Sequence, residues 1–466
     1  MSEGPKHGGD GIPVGRLSRA APIVRLAART TGESVIDSLR RRDPAPEVYA
    51  RRAERYVEVL GHSKGALMKA GQMLSIVPVL STDPKNRTAF HAAMVHLQAD
   101  APPMDPELAA DVIRSELGRW PDKAFAEFAP LPIAAASIGQ VHVARLHDGR
   151  PVAVKVQYPG VADAIRSDLR NTELVSVFLQ MLRSVVPGLS RSDPKAIAAE
   201  VSTRINEELD YRHEASNQRF FADAYKGHPF IRIPEVVTEL STDRVLTQEL
   251  AEGLAWSDAL QQEQSLRNAW GESIYRFSHG SLRRLRAVIA DAHPGNYIFH
   301  LDGTVSFLDF GCVKRFSPEL VNQVHSIYRA ALKNAGDLLA RILIDGGHFD
   351  EYRALSGDEL LEHYRVRFEM ITGPQPFTVT QDYMARIIEH EYSMKGASGR
   401  YMRSVKTADD WLFFVRVEVG LMSVLAALQA TTETRAVAIE MDLDGPPATP
   451  CGIADAEYWT ARSVAR

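Results

Sequence analysis

The order of its strand-like segments restricts the fold of this chain more than any other feature. Four such segments alternate apolar and polar residues, or are rich in β-branched residues, in a chain that otherwise has a helical pattern. They are residues 141–145, 152–156, 233–238 and 244–250. A hairpin turn at Asp148-Gly149 joins the first two, and a helix-rich span at residues 161–224 separates the pairs. A small sheet with one helix, followed by a long helical region, predicts an α+β fold with two lobes.

The composition is that of a globular protein without a general affinity for polyanions. Hydrophobic residues form 45% of the 466 residues and charged residues 24%, which provides ample apolar material for a buried core. The 54 basic and 59 acidic side chains give a net charge of −5, so no nucleic-acid partner is predicted. The two cysteines, Cys312 and Cys451, cannot build a disulfide framework or a Cys-rich zinc site, and they suit a reducing compartment.

No segment has the pattern of a secretory signal or a membrane-spanning helix. Residues 1–15 are rich in Gly and Pro and are predicted to be disordered. Residues 411–428 are the most hydrophobic, but they include Arg416 and Glu418, so we predict a buried helix there. Residues 16–42 alternate arginines with apolar residues, which fits either a membrane-surface helix or a helix with a solvated basic face. A cytoplasmic protein is therefore expected, with peripheral attachment to the inner face of a membrane left open.

Asp291, Asn296 and Asp309 form an ordered set of oxygen-bearing side chains around a predicted hairpin at residues 297–308. Phosphoryl transfer needs a carboxylate that orients the attacking oxygen, and further oxygen ligands that hold magnesium against the phosphates. The step from Asp291 to Asn296 is five residues, as in a kinase catalytic loop, and Asp309 begins an Asp-Phe-Gly sequence. We therefore predict a bilobal protein-kinase-like fold in which Asp291 orients the nucleophile and Asn296 and Asp309 bind Mg²⁺.

Lys155 is the candidate that contacts the nucleotide phosphates. It ends the sequence VAVK at residues 152–155, which resembles the third strand of kinases, where this lysine also pairs with a helix glutamate. On the next long helix, Asp210 and Glu214 are four apart and share one face, whereas Glu208 points differently. One helix could thus serve two separate cations, although a solvated acidic helix has the same pattern.

Four sequence motifs together identify a family. They are Lys69-Ala70-Gly71-Gln72, Ala134-Ala135-Ala136-Ser137-Ile138-Gly139-Gln140, Glu208-Leu209-Asp210 and His293-Pro294-Gly295-Asn296. This set resembles the UbiB (AarF-domain) family of atypical protein-kinase-like proteins over roughly residues 55–330. The resemblance implies an ATP-binding, Mg²⁺-dependent ATPase or unorthodox kinase that supports isoprenoid quinone biosynthesis at membranes. The partners it implies are an isoprenoid or quinone-precursor lipid and quinone-biosynthesis proteins.

The resemblance also implies roles for individual residues. Lys155 should pair with Glu214 and contact the nucleotide phosphates, while Lys69 and Gln72 should lie on an N-terminal helix folded over the active site. The residues that should face that helix are Glu208 and Asp210. Spacing alone would favour a solvated lysine at Lys69, and the resemblance reverses that choice.

The nucleotide itself is expected between an alanine-rich loop and the end of the fourth strand. The loop at residues 132–140 lies where kinases have a Gly-rich phosphate cover, and its alanines restrict positive φ, so it should bind nucleotide differently. Gly139 keeps one permissive position before the strand. The nucleotide-binding candidates in the loop are Ala134, Ala135, Ala136 and Ser137. From position alone, the hinge residues that offer backbone groups to adenine are Gln248, Glu249 and Leu250.

The chain between the Asp-Phe-Gly sequence and the next helix is short. Ser317, Pro318 and Glu319 have the pattern of an N-cap, a first-turn proline and an early acidic residue. This leaves little room for a peptide-docking activation loop, so we expect a small or lipid-linked acceptor, or water. Ala292 stands where the family commonly has proline, which loosens the loop but keeps its oxygen-bearing ends. His293 is interpreted as a loop-ordering residue rather than a metal ligand.

These predictions divide the chain into four parts. Residues 1–15 are a disordered N-terminus, 16–125 a helical extension carrying the Lys69-to-Gln72 motif, 126–250 the kinase-like N-lobe and 251–466 a helical C-lobe with the catalytic and metal-binding loops. Two alternatives to an active enzyme of this family remain. A pseudokinase would bind nucleotide or lipid and scaffold partners without turnover. A small-molecule kinase of the aminoglycoside- or choline-kinase type shares the downstream metal loop but does not explain the Lys69-to-Gln72 motif.

Overall fold

A computed structural model describes most of the chain from residue 104 onward. The described residues are 104–136, 138–169, 202–203, 205–350, 355–391, 393, 395–406 and 409–464. They form the predicted α+β architecture with two lobes. The N-terminal 103 residues, with the Arg-rich segment and the Lys69-to-Gln72 motif, lie outside the described residues, as does Ser137. The proposed domain boundaries stay predictions.

A five-stranded antiparallel sheet forms the smaller lobe. Its strands are β1 (Glu127–Phe128), β2 (Ala134–Ala136), β3 (Gly139–Arg145), β4 (Pro151–Gln157) and β6 (Val245–Glu249). β1 and β2 pair with the two ends of one edge of β3, β4 pairs with its other edge, and β6 pairs with β4. The predicted turn at Asp148-Gly149 joins β3 to β4, and Gly149 has a φ of 90°, which glycine adopts without strain.

One face of this sheet is covered by helix. The covering helices are α1 (Pro106–Leu117) and α2 (Pro121–Ala124). α1 begins at the N-cap Asp105, whose carboxylate accepts an amide hydrogen of the first turn, and ends at Gly118 with a φ of 70°. Val152, Val154 and Val156 of β4 pack with the buried side of α1 in one apolar cluster. Because successive side chains of a strand point to opposite faces, this packing leaves Lys155 on the other face, toward the second lobe.

Helices α3 (Val161–Leu169) and α4 (Tyr211–Tyr225) follow β4 in the chain. The prediction that Asp210 and Glu214 share a face of one continuous helix is wrong. The helical residues 205–208 end before Asp210, which is the N-cap of α4. Its carboxylate accepts two amide hydrogens of the first turn of α4, an arrangement that starts a new helix. Glu214 therefore lies inside α4, whereas Asp210 caps the start of that helix.

The predicted strand at residues 233–238 is mostly wrong, since the segment forms only an isolated β-bridge between Val236 and Gln248 of β6. The chain forms β5 (Ile231–Arg232) just before this segment and a 3₁₀ turn (Thr238–Leu240) at its end. Pro234 lies between them and lacks the amide hydrogen that a strand ladder needs. β5 pairs in parallel with β9 (Val305–Phe307), so it belongs to a second sheet in the larger lobe.

Short strands packed on one long helix form the part of the larger lobe that faces the first lobe. The helices are α5 (Trp256–Ala259) and α6 (Gln264–Leu285), and the further strands are β7 (Ala287–Ile289), β8 (Tyr297–Phe299) and β10 (Val313–Arg315). β8 and β9 form the predicted hairpin, in which Tyr297 lies opposite Phe307. β7 and β10 pair with each other in antiparallel orientation and were not predicted.

The rest of the larger lobe is mainly helical. It contains α7 (Pro318–Leu332), α8 (Gly336–Asp345), α9 (Gly357–Tyr364), α10 (Glu369–Thr372), α11 (Gln381–Glu391), α12 (Gly396–Ser404), α13 (Asp409–Leu428), α14 (Thr434–Leu443) and α15 (Pro450–Val464), with a ribbon of β11 (Phe377–Thr378) and β12 (Thr431–Thr432). The hydroxyl of Ser317 accepts the amide hydrogen of Leu320, so α7 has the predicted N-cap. α13 is the predicted buried helix, with Val417 and Leu421 in the core. Within the described ranges, no helix is both long and apolar enough to span a membrane.

Candidate active site

Lys155 and Glu214 form a buried ion pair between β4 and α4. The Nζ atom of Lys155 lies 2.9 Å from each carboxylate oxygen of Glu214. The Glu214 side chain is only 3% exposed and that of Lys155 18%. The N-cap at Asp210 determines where α4 begins and thus which of its side chains point back toward β4. The pair predicted from the sequence is therefore present in the structure.

Asp309 lies beside this pair. Its Oδ2 atom is 3.6 Å from the Lys155 ammonium, and its Oδ1 atom accepts the amide hydrogen of Gly311 at 2.9 Å. Burial would lower the pKa of Lys155, but the Asp309 and Glu214 carboxylates outweigh burial and raise that pKa above its usual value. The lysine is therefore positively charged throughout the physiological pH range, which suits a contact with phosphate oxygens.

Two strand pairs bring Asp291 and Asn296 to the same region. Beyond the end of the β7–β10 ladder, the amide of Ala290 donates to the carbonyl of Cys312 at 2.8 Å, which places Asp291 next to the Asp-Phe-Gly segment. Beyond the β8–β9 ladder, the amide of Leu308 donates to the carbonyl of Asn296 at 3.0 Å. Asn296 and Asp309 thus lie at the two ends of one hairpin. The register of two short ladders thus brings the backbones of the three predicted oxygen-bearing residues to one region.

The donor atoms of these residues fit a magnesium ion. The side-chain NH₂ group of Asn296 donates to the backbone carbonyl of Asp291 at 3.1 Å, so the amide oxygen of Asn296 is the atom that can bind a cation. Together with the Asp309 carboxylate this makes an all-oxygen set, which magnesium prefers. The Nδ1 atom of His293 accepts the amide hydrogen of Gly295, in agreement with its predicted loop-ordering role. The described part of the chain contains no cluster of three or more His, Cys, Asp or Glu side chains suited to a metal.

The predicted alanine-rich loop is in part a strand, because residues 134–136 form β2. Ala134 and Ala135 are exposed, and β2 pairs with the start of β3, with Ala135 opposite Gln140. Gly139 does not have positive φ, so conformational freedom is not the reason for glycine here. A Cβ atom at Gly139 would lie 2.3 Å from the carbonyl oxygen of Val156. Close approach of β3 to β4 therefore requires glycine, a reason that the sequence alone did not indicate.

The proposed hinge at residues 248–250 follows the cleft edge of β6. The amide of Glu249 donates to the carbonyl of Glu235 at 2.9 Å, and the amide of Leu250 donates to the carbonyl of Pro151 at 3.2 Å. These two amides are therefore engaged within the protein, and the hinge role of residues 248–250 stays a prediction. The side chain of Gln248 lies opposite Ala153 on the same sheet face as Lys155, and its buried Oε1 atom has no hydrogen-bond partner among the described residues.

Of the remaining predicted residues, two lie at or just before the start of α4 and the others lie outside the described chain. The Asp210 carboxylate caps α4, and Glu208 is partly exposed at the end of the preceding helical turn. The helix that both should face carries Lys69 and Gln72, which are outside the described residues, so this prediction stays a prediction. Tyr211 was not predicted as a site residue, yet its ring centroid is 5.0 Å from the Lys155 Nζ atom. No spacing signal pointed to that contact.

A small pocket opens beside Asp291 and Asn296. It offers about 30 Å³ to water-sized groups, and its apolar wall includes Phe277, Phe307 and Leu421. A space of this size holds roughly two water molecules. The pocket is thus suited to water or to one end of a small molecule.

Comparisons with known proteins agree with this geometry. The family model described as the ABC1 atypical kinase-like domain matches residues 96–342. The rat (Rattus norvegicus) protein named atypical kinase COQ8B, mitochondrial, is 35% identical over 390 residues, which cover 80% of this chain and 70% of the rat protein. A chloroplastic aarF domain-containing protein kinase of Arabidopsis thaliana is 36% identical over 231 residues, or 48% of this chain and 31% of the relative. This chain thus spans about a third of the plant relative's length.

A solved structure resembles this chain over most of its length. The Rv3197–erythromycin complex from Mycobacterium tuberculosis superposes with a TM-score of 0.63 at 30% sequence identity. The match covers 85% of this chain and 96% of the mycobacterial chain.

Proposed function

The chain belongs to the UbiB (AarF-domain) family of atypical kinase-like proteins, and from this premise we propose that it binds ATP with Mg²⁺ and hydrolyses it or transfers its terminal phosphoryl group to a restricted acceptor. Family membership supports a kinase-like role. Nucleotide binding, magnesium dependence and turnover are proposed in addition to this family-level role.

The geometry around Lys155 is the observation that carries the proposal. Its ammonium is 2.9 Å from Glu214 and 3.6 Å from Asp309, and the two ladders described above bring Asp291 and Asn296 to the Asp309 segment. One cation for phosphate oxygens and three oxygen-bearing side chains for a metal and a nucleophile are the groups that phosphoryl transfer requires. A purely structural ion pair would need neither Asp291 nor Asn296.

Each residue has a role in the proposed reaction. Lys155, held by Glu214, positions the nucleotide phosphates, and Asp291 orients the attacking oxygen and accepts its proton. Asn296, through its amide oxygen, and Asp309 hold the magnesium ion. When bound, that ion supplies positive charge that stabilises the phosphate oxygens during transfer.

The proposed acceptor is water or a small or lipid-linked alcohol. β10 ends at Arg315 and the next helix begins at Pro318, so a short link replaces the loop on which kinases dock peptides. The pocket beside Asp291 has room for about 30 Å³, which suits water or the hydroxyl end of a small molecule. A folded protein segment needs a wider surface.

We also propose that this activity supports isoprenoid quinone biosynthesis at a membrane surface, with a quinone-precursor lipid and quinone-biosynthesis proteins as partners. This part rests on the family resemblance. The Arg-rich residues 16–42, which carry the membrane proposal, lie outside the described residues.

ADP release by the purified full chain tests the proposed activity. We expect Mg²⁺-dependent release, with stimulation by anionic liposomes and a quinone-precursor mimic. The Asp309→Asn variant should lose this release, because a metal-ligand carboxylate becomes a neutral amide. Equal turnover by the two proteins would refute the enzymatic assignment. Binding of Mg²⁺ and ATP without turnover in either protein would instead favour the pseudokinase alternative.

A further inference from the structure

Asn217 is a buried polar residue on α4 that the proposed mechanism does not use. It follows Glu214 by three residues, so both side chains project from the same side of the helix. Its exposed fraction is 3%, and a buried amide needs hydrogen-bond partners for its NH₂ group and its oxygen.

The partners of Asn217 lie in the segment that begins at Asp309. The Nδ2 atom donates to the backbone carbonyl of Phe310 at 3.2 Å, and the Oδ1 atom accepts from the Nη2 atom of Arg315 at 3.3 Å. One side chain therefore contacts the residue after the predicted metal ligand and also the last residue of β10.

Arg315 determines the orientation of the Asn217 amide. A guanidinium group has only donors, so the amide oxygen of Asn217 must face Arg315 and its NH₂ group must face the carbonyl of Phe310. The guanidinium carbon of Arg315 lies 4.5 Å from the ring centroid of Phe220, which holds the guanidinium in place.

Two further contacts join α4 to the same segment. The ring of Phe310 packs on the ring of Phe221 with centroids 5.3 Å apart. A Cβ atom added at Gly311 would lie 3.5 Å from a carboxylate oxygen of Glu214 and 3.2 Å from Oδ1 of Asp309. The backbone next to Asp309 thus lies directly against α4. Asn217 is the α4 side chain that donates a hydrogen bond to this backbone, at the carbonyl of Phe310.

From this geometry we propose that Asn217 is a positioning residue that holds the Asp309 carboxylate in place for a divalent cation, through the carbonyl of Phe310, with Arg315 orienting the Asn217 amide. The inference rests on the proposed function, because it assumes that Asp309 binds the metal. It adds that a residue of α4, the helix of Glu214, also determines the metal affinity of the site.

The test replaces the amide by an apolar side chain of similar size. In Asn217→Leu, the carbonyl of Phe310 loses the hydrogen bond from Asn217, while the contact of Phe310 with Phe221 remains. We expect the half-saturating Mg²⁺ concentration for ADP release to rise roughly tenfold. The Mn²⁺ dissociation constant, measured by electron paramagnetic resonance with a non-hydrolysable ATP analogue, should rise by the same factor. Binding of a fluorescent ATP analogue in EDTA should change by less than about twofold, because Lys155 and Glu214 are unchanged.

Gln218→Leu is the matched control. Gln218 is the next residue of α4, is equally buried, and donates its amide to the carbonyl of Pro234 at 2.7 Å, away from the metal loop. Both variants lose one buried amide-to-carbonyl hydrogen bond, and Asn217→Leu also loses the bond from Arg315, so it should be the less stable of the two. Only Asn217→Leu should weaken metal binding.

Several outcomes would overturn the proposal. Equal metal affinities of the Asn217→Leu and Gln218→Leu variants would show a purely structural role for Asn217. The same conclusion would follow if Asn217→Leu weakened nucleotide binding in EDTA as much as it weakened metal binding. If Asn217→Leu does not fold, Arg315→Met replaces it, with an expected shift of roughly threefold in the same direction; no shift refutes the inference. Metal binding that is lost in Asp309→Asn but unchanged in Asn217→Leu refutes this inference alone. Metal binding unaffected by Asp309→Asn refutes the proposed metal site and this inference with it.

Discussion

Replacing Gly139 by alanine should separate two strands of the N-lobe sheet next to the phosphate-contacting lysine. The added Cβ atom would lie 2.3 Å from the carbonyl oxygen of Val156 and 2.9 Å from the hydroxyl of Tyr211. An ordinary carbon–oxygen contact is about 3.3 Å, so the backbones of β3 and β4 would have to separate by about 1 Å at this point. Val156 directly follows Lys155, so the displacement reaches the ion pair with Glu214.

The size of the effect follows from which atoms collide. Overpacking in a well-packed core costs about 1–3 kcal/mol, and a carbonyl in a strand ladder cannot rotate away as a side chain can. The smaller conformational freedom of alanine in the unfolded chain offsets about 0.4–1 kcal/mol of this. We therefore expect Gly139→Ala to lower the free energy of unfolding by about 2 kcal/mol and to weaken ATP binding.

Urea denaturation of Gly139→Ala and Gly280→Ala measures this difference. In Gly280→Ala the nearest atom is Nη1 of Arg284 at 2.7 Å, a side-chain atom, and the site is inside α6, where alanine is favoured over glycine. Because the Arg284 guanidinium also pairs with the buried Asp455, the control should lose some stability, but less than Gly139→Ala. Equal destabilisation of both variants would refute the steric argument. So would full recovery in the double variant Gly139→Ala with Tyr211→Phe, since the carbonyl contact remains there.

Three further predictions concern the Lys155–Glu214 ion pair, the strand β2 and a buried histidine. Glu214→Gln should lower the free energy of unfolding by about 2 kcal/mol and weaken ATP binding, because the buried Lys155 loses a charge-assisted hydrogen bond. The control Glu369→Gln, at an exposed pair with the same 2.9 Å separation, should lower it by less than about 1 kcal/mol. Equal losses in urea denaturation would contradict this prediction. Ala135→Gly should change the ATP dissociation constant, because glycine increases the backbone freedom of β2, where the phosphates are expected. An unchanged constant would argue against phosphates at β2. Burial lowers the pKa of His363 to about 3, so the unfolded chain takes up a proton below pH 6.5 that the folded chain does not, and stability falls as pH falls from 6.5 toward 3. The loss of folding stability between pH 7 and pH 5 should be about 2 kcal/mol smaller in His363→Asn than in the original chain. An unchanged pH dependence would contradict the burial argument.

Much of the secondary structure could be predicted because its signals are local. β3, β4 and β6 and the β8–β9 hairpin have alternating or β-branched sequences, and β3–β4 and β8–β9 have turns at glycine. β7 and β10 escaped prediction because each has only three residues and is stabilised by a partner about 25 residues away in the chain. The helix break at Asp210 was missed because aspartate within a run of helix formers can either cap a helix or continue it.

The sequence by itself determined the kinase-like layout and the chemical type and order of the candidate site residues. Oxygen-bearing side chains at the spacing from Asp291 to Asn296, and a lysine at the end of the strand-like sequence VAVK, are recognisable without coordinates. Only the tertiary structure decided which groups meet. Asn217 and Phe310 are 93 residues apart, and Tyr211 lies 56 residues beyond Lys155 in the chain. Such contacts depend on the packing of α4 between the two lobes, and no local pattern of residues encodes that packing.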